Sequence, residues 1–121
     1  MRRYRLSAAA QADVVEILAW SEEQFGERAR LRYEALLVAA LRDVAQQPDR
    51  TGSIARPELG AGVRSWHLRL SRDRARGVLG AVRRPRHFLI YRAEPDLLVV
   101  GRVLHDAMEL ARHIEPGASC A

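Results

Sequence analysis

A chain of 121 residues with 48% apolar content holds enough material for one compact core and not for two. Its only cysteine, Cys120, excludes a disulfide framework or a cysteine metal site, and no apolar run approaches the roughly 20 residues that span a bilayer. All 20 positive side chains are arginine, set against 15 acids, so the charge of +5 sits on planar guanidinium groups that suit carboxylates and phosphates.

In chain order, Arg3 to Leu6 alternates as an N-terminal strand does, and Ser7 is placed to cap a helix. Ala10, Val14, Ile17, Leu18 and Phe25 recur at helical spacing, which predicts an amphipathic helix over 8–25 that Gly26 stops. Tyr33, Leu37, Ala40, Leu41 and Val44 mark a second helix from Glu27 to Gln46, ended by Pro48. One glycine between them makes the pair an antiparallel hairpin. The stretch from Pro48 to Gly62, with Gly52, Pro57 and Gly60, reads as a connector.

The period then changes to two. Arg64, Trp66, Leu68 and Leu70 alternate with Val63, Ser65, His67 and Arg69, predicting a strand, and Val78 to Val82 predicts another beyond an arginine-rich tip at 71–77. Pro85 interrupts before a strand from His87 to Arg92; a turn at 93–96 leads to Leu97 to Leu104, apolar on both faces as a central strand is. Asp106 is placed to cap a short C-terminal helix through His113. The expected fold is α+β: an N-terminal strand, an antiparallel helical hairpin packed on a mainly antiparallel sheet, and a short C-terminal helix. Residues 1–115 are expected to form a single domain and 116–121 a flexible tail.

Eight arginines fall between positions 64 and 86, with Asp73 the only acid among them. GC-rich codon usage would account for the missing lysines but not for this clustering. Arg72, Arg74, Arg76, Arg83, Arg84 and Arg86 are the candidate contacts to an acidic or nucleic-acid partner. A plain nucleic-acid-binding module is disfavoured, because the chain shows neither an aromatic stacking strip nor a groove-reading helix. The four histidines lack paired spacing, so no metal or other cofactor is expected. The N-terminus Met1-Arg2-Arg3-Tyr4 lacks the apolar stretch of a signal peptide, and a cytoplasmic protein with no membrane association is expected.

Tyr4-Arg5-Leu6-Ser7, Phe25-Gly26, Gly62-x-Arg64, His87-x-x-x-Tyr91-Arg92 and Arg102-Val103-Leu104-His105 occur in this order over about residues 3–114. None is specific alone; jointly they resemble the ParE branch of the RelE/ParE toxin superfamily, whose fold has the same order of elements. The segment at about 66–86 is longer than in the shorter ParE pattern. The resemblance implies the toxin of a type II toxin–antitoxin system, a non-enzymatic poison of DNA gyrase silenced by a ParD-like antitoxin with an acidic amphipathic tail. Any DNA contact is expected only through the antitoxin or gyrase complex. A basic groove between hairpin and sheet would accept such a tail, with Trp20, Tyr33, Arg64, Trp66 and Arg92 as antitoxin-binding candidates.

The alternative is a ribosome-dependent mRNA endoribonuclease of the RelE type. It needs cations around the phosphate, supplied by Arg64, Arg92 and Arg102, and proton-handling groups, a burden that falls on His67, His87, His105 and Tyr91, with His105 and Tyr91 the leading candidates. The competing role for His105 is to fix the corner after the last strand.

Overall fold

The chain enters through a short strand, β1 (Arg3–Leu6), and turns at Ser7 into helix α1 (Ala8–Phe25). The Ser7 hydroxyl accepts from the Ala10 amide at 3.1 Å and donates to the Gly101 carbonyl at 2.7 Å, so the residue that starts the helix also pins it to the sheet. Gly26, at φ +93°, separates α1 from α2 (Glu27–Gln46); this left-handed backbone is why a glycine stands there. The computed structural model describes residues 2–107, so the predicted helix through His113 and the 116–121 tail lie outside the described residues.

Beyond Gln46 the sheet is completed by β2 (Ile54–Ala55), β3 (Val63–His67), β4 (His87–Ala93) and β5 (Leu97–His105) in the order β1-β5-β4-β3-β2. β2 is a two-residue strand inside the predicted connector. All pairings are antiparallel except β1 with β5, so the sheet is mainly antiparallel as expected. The β4–β5 pairing skips Gly101: Ile90 faces Arg102 while Tyr91 faces Val100. This local irregularity bends the strand next to the helix start that Ser7 anchors.

The hairpin covers one sheet face. Leu36, Leu37, Ala40 and Val44 of α2 pack on Trp66, Leu89, Tyr91, Leu98, Val100 and Val103, all nearly or fully buried. A smaller cluster of Leu59, Val63, Phe88, Ile90 and Leu104 lies apart from it. At roughly 1.5–3 kcal/mol per buried large side chain, the hairpin face is the main source of stability. α1 contributes less: Val14, Ile17 and Leu18 are only partly buried, and Phe25, expected on the core stripe, is 68% exposed.

Two strand expectations are corrected. The strand predicted to continue through Leu70 ends at His67, because the ring of His67 accepts from the Arg69 amide and starts a 3-10 turn, Leu68–Ser71. Trp66 and Leu68 still reach the core, since Trp66 Nε1 donates to Ser71 Oγ at 2.9 Å, and that hydroxyl donates to the buried Asp43. Val78 to Val82 is not a strand but part of a turn closed between Gly77 and Gly80, with Val78 fully exposed. Its apolar residues had no sheet edge to join, since β3 and β4 have neighbours on both sides. No helix among the described residues is long and apolar enough to cross a membrane.

Candidate functional site

The second half of α1, the first half of α2, the 79–86 segment and the facing ends of β4 and β5 enclose a trough of about 1140 Å³. It exists because Gly26 sends α2 back beside α1 while Trp20 and Phe25 turn off the core stripe. These two rings meet edge to face at 5.6 Å and stay 55% and 68% exposed. With Ile17, Ala29, Leu79 and Val82 they form an apolar wall, and Arg32, Arg83, Arg84 and Arg86 line the rest against one acid among the described residues, Glu16. An apolar cleft ringed by guanidinium groups suits an acidic amphipathic segment.

At the sheet end of the trough Tyr33, His87 and His105 form a chain of contacts. The Arg86 amide donates to the Tyr33 hydroxyl at 3.2 Å, so the hydroxyl proton is directed to Nδ1 of His87, 2.6 Å away. His87 and His105 meet edge to face with ring centres 5.2 Å apart. Burial pushes the Tyr33 phenol up to about 12. Burial, then the neighbouring His105, lowers His87 to about 4, and the imidazole is neutral at physiological pH. Behind them Asp106 accepts from His67 Nε2 at 3.0 Å and pairs with Arg86 at 3.3 Å. Burial alone would raise the Asp106 carboxyl; the His67 hydrogen bond and the charge of Arg86 outweigh it and hold the group below the usual range.

The structure sorts the sequence candidates. Of the antitoxin-binding set, Trp20 and Tyr33 line the trough. Arg64 instead reaches the hydroxyl of Ser53 at 2.8 Å, Arg92 faces Glu94 at 3.5 Å near the other end of β4, and Trp66 is 2% exposed, so any effect of Trp66 on a partner is indirect. Of the arginine cluster, Arg83, Arg84 and Arg86 line the trough. Arg74 is held by Asp43 at 2.7 Å, Arg76 by Asp73 at 3.7 Å, and Arg72 donates to the Arg83 carbonyl at 3.3 Å. Arg32, Leu79 and Val82 belong to the site without having been named as candidates, Ile17 and Phe25 had been placed only on the core stripe of α1, and His87 had been weighed only as a proton-handling group. The available signal was a pair of aromatic residues, Trp20 and Phe25, near the end of a helix whose core stripe needed only one.

The nuclease candidates do not converge. His87 faces His105 in the sheet register, while Tyr91 lies four residues further along β4, roughly 13 Å away at the usual strand rise. The fully buried Tyr91 donates its hydroxyl to the Pro48 carbonyl, and burial raises its pKa. Arg102 makes a two-pronged ion pair with Asp13 at 2.8 and 3.0 Å, and the same carboxylate accepts the Val103 amide at 2.9 Å. That carboxylate ties α1 to β5 just past the point where β1 stops pairing. His105 accepts the Ala107 amide at 3.0 Å through Nδ1, as the corner role requires. Among the described residues no cluster of three or more His, Cys, Asp or Glu side chains could hold a metal ion.

The comparisons with known proteins agree with this architecture. The family model described as the ParE toxin of the type II toxin–antitoxin system parDE matches residues 4–110. Among solved structures, a chain from "Chromosomal ParDE TA system from P. aeruginosa" superposes with a TM-score of 0.61 at 16% identity, over 87% of this chain and 96% of that one. A likeness at that identity speaks for the fold. The search of curated proteins gives no match.

Proposed function

Because the chain belongs to the ParE toxin family of type II toxin–antitoxin systems, we propose that it is the toxin of such a pair, that it poisons DNA gyrase in the cytoplasm, and that a ParD-like antitoxin silences it by filling the trough. The observation that carries the reading is the trough itself, an exposed aromatic and aliphatic wall with four arginines and one acid around it. An extended surface of this kind is a docking surface, and exposed Trp and Phe with flanking Arg are the residue types that dominate protein interfaces. Gyrase, rather than ribosome-bound message, is the target that fits the separation of Tyr91, Arg64 and Arg92 from His105, because proton transfer needs groups within hydrogen-bond reach of one substrate atom.

Purified protein added to a gyrase supercoiling assay tests the proposal. The expected result is loss of supercoiling with accumulation of cleaved DNA, reversed by the small acidic protein encoded beside the toxin. Untouched gyrase together with cleavage of ribosome-bound messages would transfer the reading to the endoribonuclease.

A further inference from the structure

The sheet end of the trough has a chemical character of its own. Nδ1 of His87 receives the Tyr33 hydroxyl proton, and Nδ1 of His105 receives the Ala107 amide. With Nδ1 accepting in each case, the ring proton sits on Nε2, and both rings are donors there. Among the described residues neither Nε2 has an acceptor. Among the described residues the one buried side-chain nitrogen or oxygen without a partner is Arg72 Nε, so Nε2 of the half-buried His87, which lines the trough, is not sealed from solvent. Arg83 and Arg84 line the same trough, are exposed, and meet no carboxylate among the described residues. Asp106 lies 3.6 Å from Nδ1 of His105, on the side of the ring away from Nε2, and is paired with His67 and Arg86.

Two imidazole N–H donors on rings whose centres lie 5.2 Å apart, and two exposed guanidinium groups lining the same trough, make a place for a small anion. We propose that the Nε2–H groups of His87 and His105, flanked by Arg83 and Arg84, seat a carboxylate from an acidic side chain of the protein segment that occupies the trough. The surroundings select the source. The trough it belongs to is walled by Ile17, Trp20, Phe25 and Leu79, which favours a group carried on an apolar peptide face over one carried on a sugar–phosphate backbone. Glu16 on the opposite wall further disfavours a polyanion. The seat deepens the partner reading given above and rests on it: it names the group that fixes the register of the docked segment, since a buried charge has one favourable place and an apolar stripe has several.

The seat is read without any partner by following the imidazole N–H signals of histidine-labelled protein during titration with sodium acetate at constant ionic strength, with acetamide as the neutral control. His87 and His105 Nε2–H signals moving together and saturably with acetate, and not with acetamide, is the expected result. An Arg83→Ala/Arg84→Ala double variant, which removes two exposed side chains and leaves the fold intact, weakens acetate binding several-fold. Ring signals that stay in place throughout overturn the seat, and signals that respond to inorganic phosphate but not to acetate overturn its assignment to a carboxylate. A silent seat leaves the neutralising partner standing, whereas a toxin that its neighbouring gene product fails to neutralise removes the partner and leaves the acetate result untouched.

Discussion

Replacing Asp13 with alanine separates the structural account of Arg102 from the catalytic one. Asp13 accepts two hydrogen bonds from Arg102, at 2.8 and 3.0 Å, and a third from the amide of the buried Val103 at 2.9 Å. With side-chain exposures of 12% for Asp13 and 25% for Arg102, both ends of the pair are largely withdrawn from water. Breaking such a pair costs about 2–3 kcal/mol, toward the lower end for a buried pair because Arg102 keeps a water-facing side. Leaving the Val103 amide without its acceptor adds about 1 kcal/mol. Asp13→Ala is therefore expected to lose about 3–4 kcal/mol, a fall of roughly 10–15 °C in Tm for a domain of this size. Arg102→Ala keeps the Val103 contact and is expected to lose about 2 kcal/mol. Denaturant unfolding of the two single variants and the double variant gives the coupling directly, expected at about 2 kcal/mol. A loss below about 1 kcal/mol for Asp13→Ala would show that this carboxylate does not brace α1 on β5. So would an Arg102→Ala protein of unchanged stability that had lost its action on the target, because Arg102 would then be a contact and not a brace.

Acid should destabilise the fold through His87. Its folded value of about 4 lies below the ordinary 6.5, so the unfolded chain binds a proton that the folded chain refuses, and stability falls as pH drops through that window. The full difference corresponds to about 3 kcal/mol, nearer 2 once partial solvent access is allowed for. Thermal midpoints followed down to about pH 4.5 should show this slope in the wild type. His87→Gln should lose most of it, and a slope that persists in the variant would place the titration elsewhere. Gly52→Ala should cost about 1–3 kcal/mol in chemical unfolding, because it sits at φ +102° and a Cβ there would lie 3.0 Å from Leu70 Cδ1 and 3.3 Å from Trp66 Cζ3; an unchanged midpoint would contradict the packing described for this loop.

Sequence periodicity located both helices and β3, β4 and β5 because each buries one face against a common core, and burial is what periodicity records. It misplaced Val78 to Val82 because apolar content is necessary for a strand but an available sheet edge is also required, and edges are a property of the whole topology. Likewise Leu68 and Leu70 kept the alternation of a strand after the His67 ring had turned the backbone. The trough was only half legible. Trp20 was singled out, but the enclosure depends on the direction Gly26 gives to α2 and on where 79–86 lands, and neither is local. The arginine cluster was visible as composition, yet its division was not. Arg74 is held by Asp43 from 31 residues away and Arg86 by Asp106 from 20, leaving Arg83 and Arg84 uncommitted to any acid among the described residues. The motif carrying Tyr91 and Arg92 and the one carrying His105 come close together in the sequence, but the register of β4 on β5 sends them to opposite ends of the strand pair.

If the neutralising partner docks in the trough, the affinity of a cognate antitoxin for the toxin reports it. Trp20 is 55% exposed, so Trp20→Ala should leave the thermal midpoint unchanged while weakening the complex by at least about thirtyfold, the loss of about 2 kcal/mol that marks an interface anchor. An antitoxin that binds the Trp20→Ala protein as tightly as the wild type would place the docking surface outside the trough.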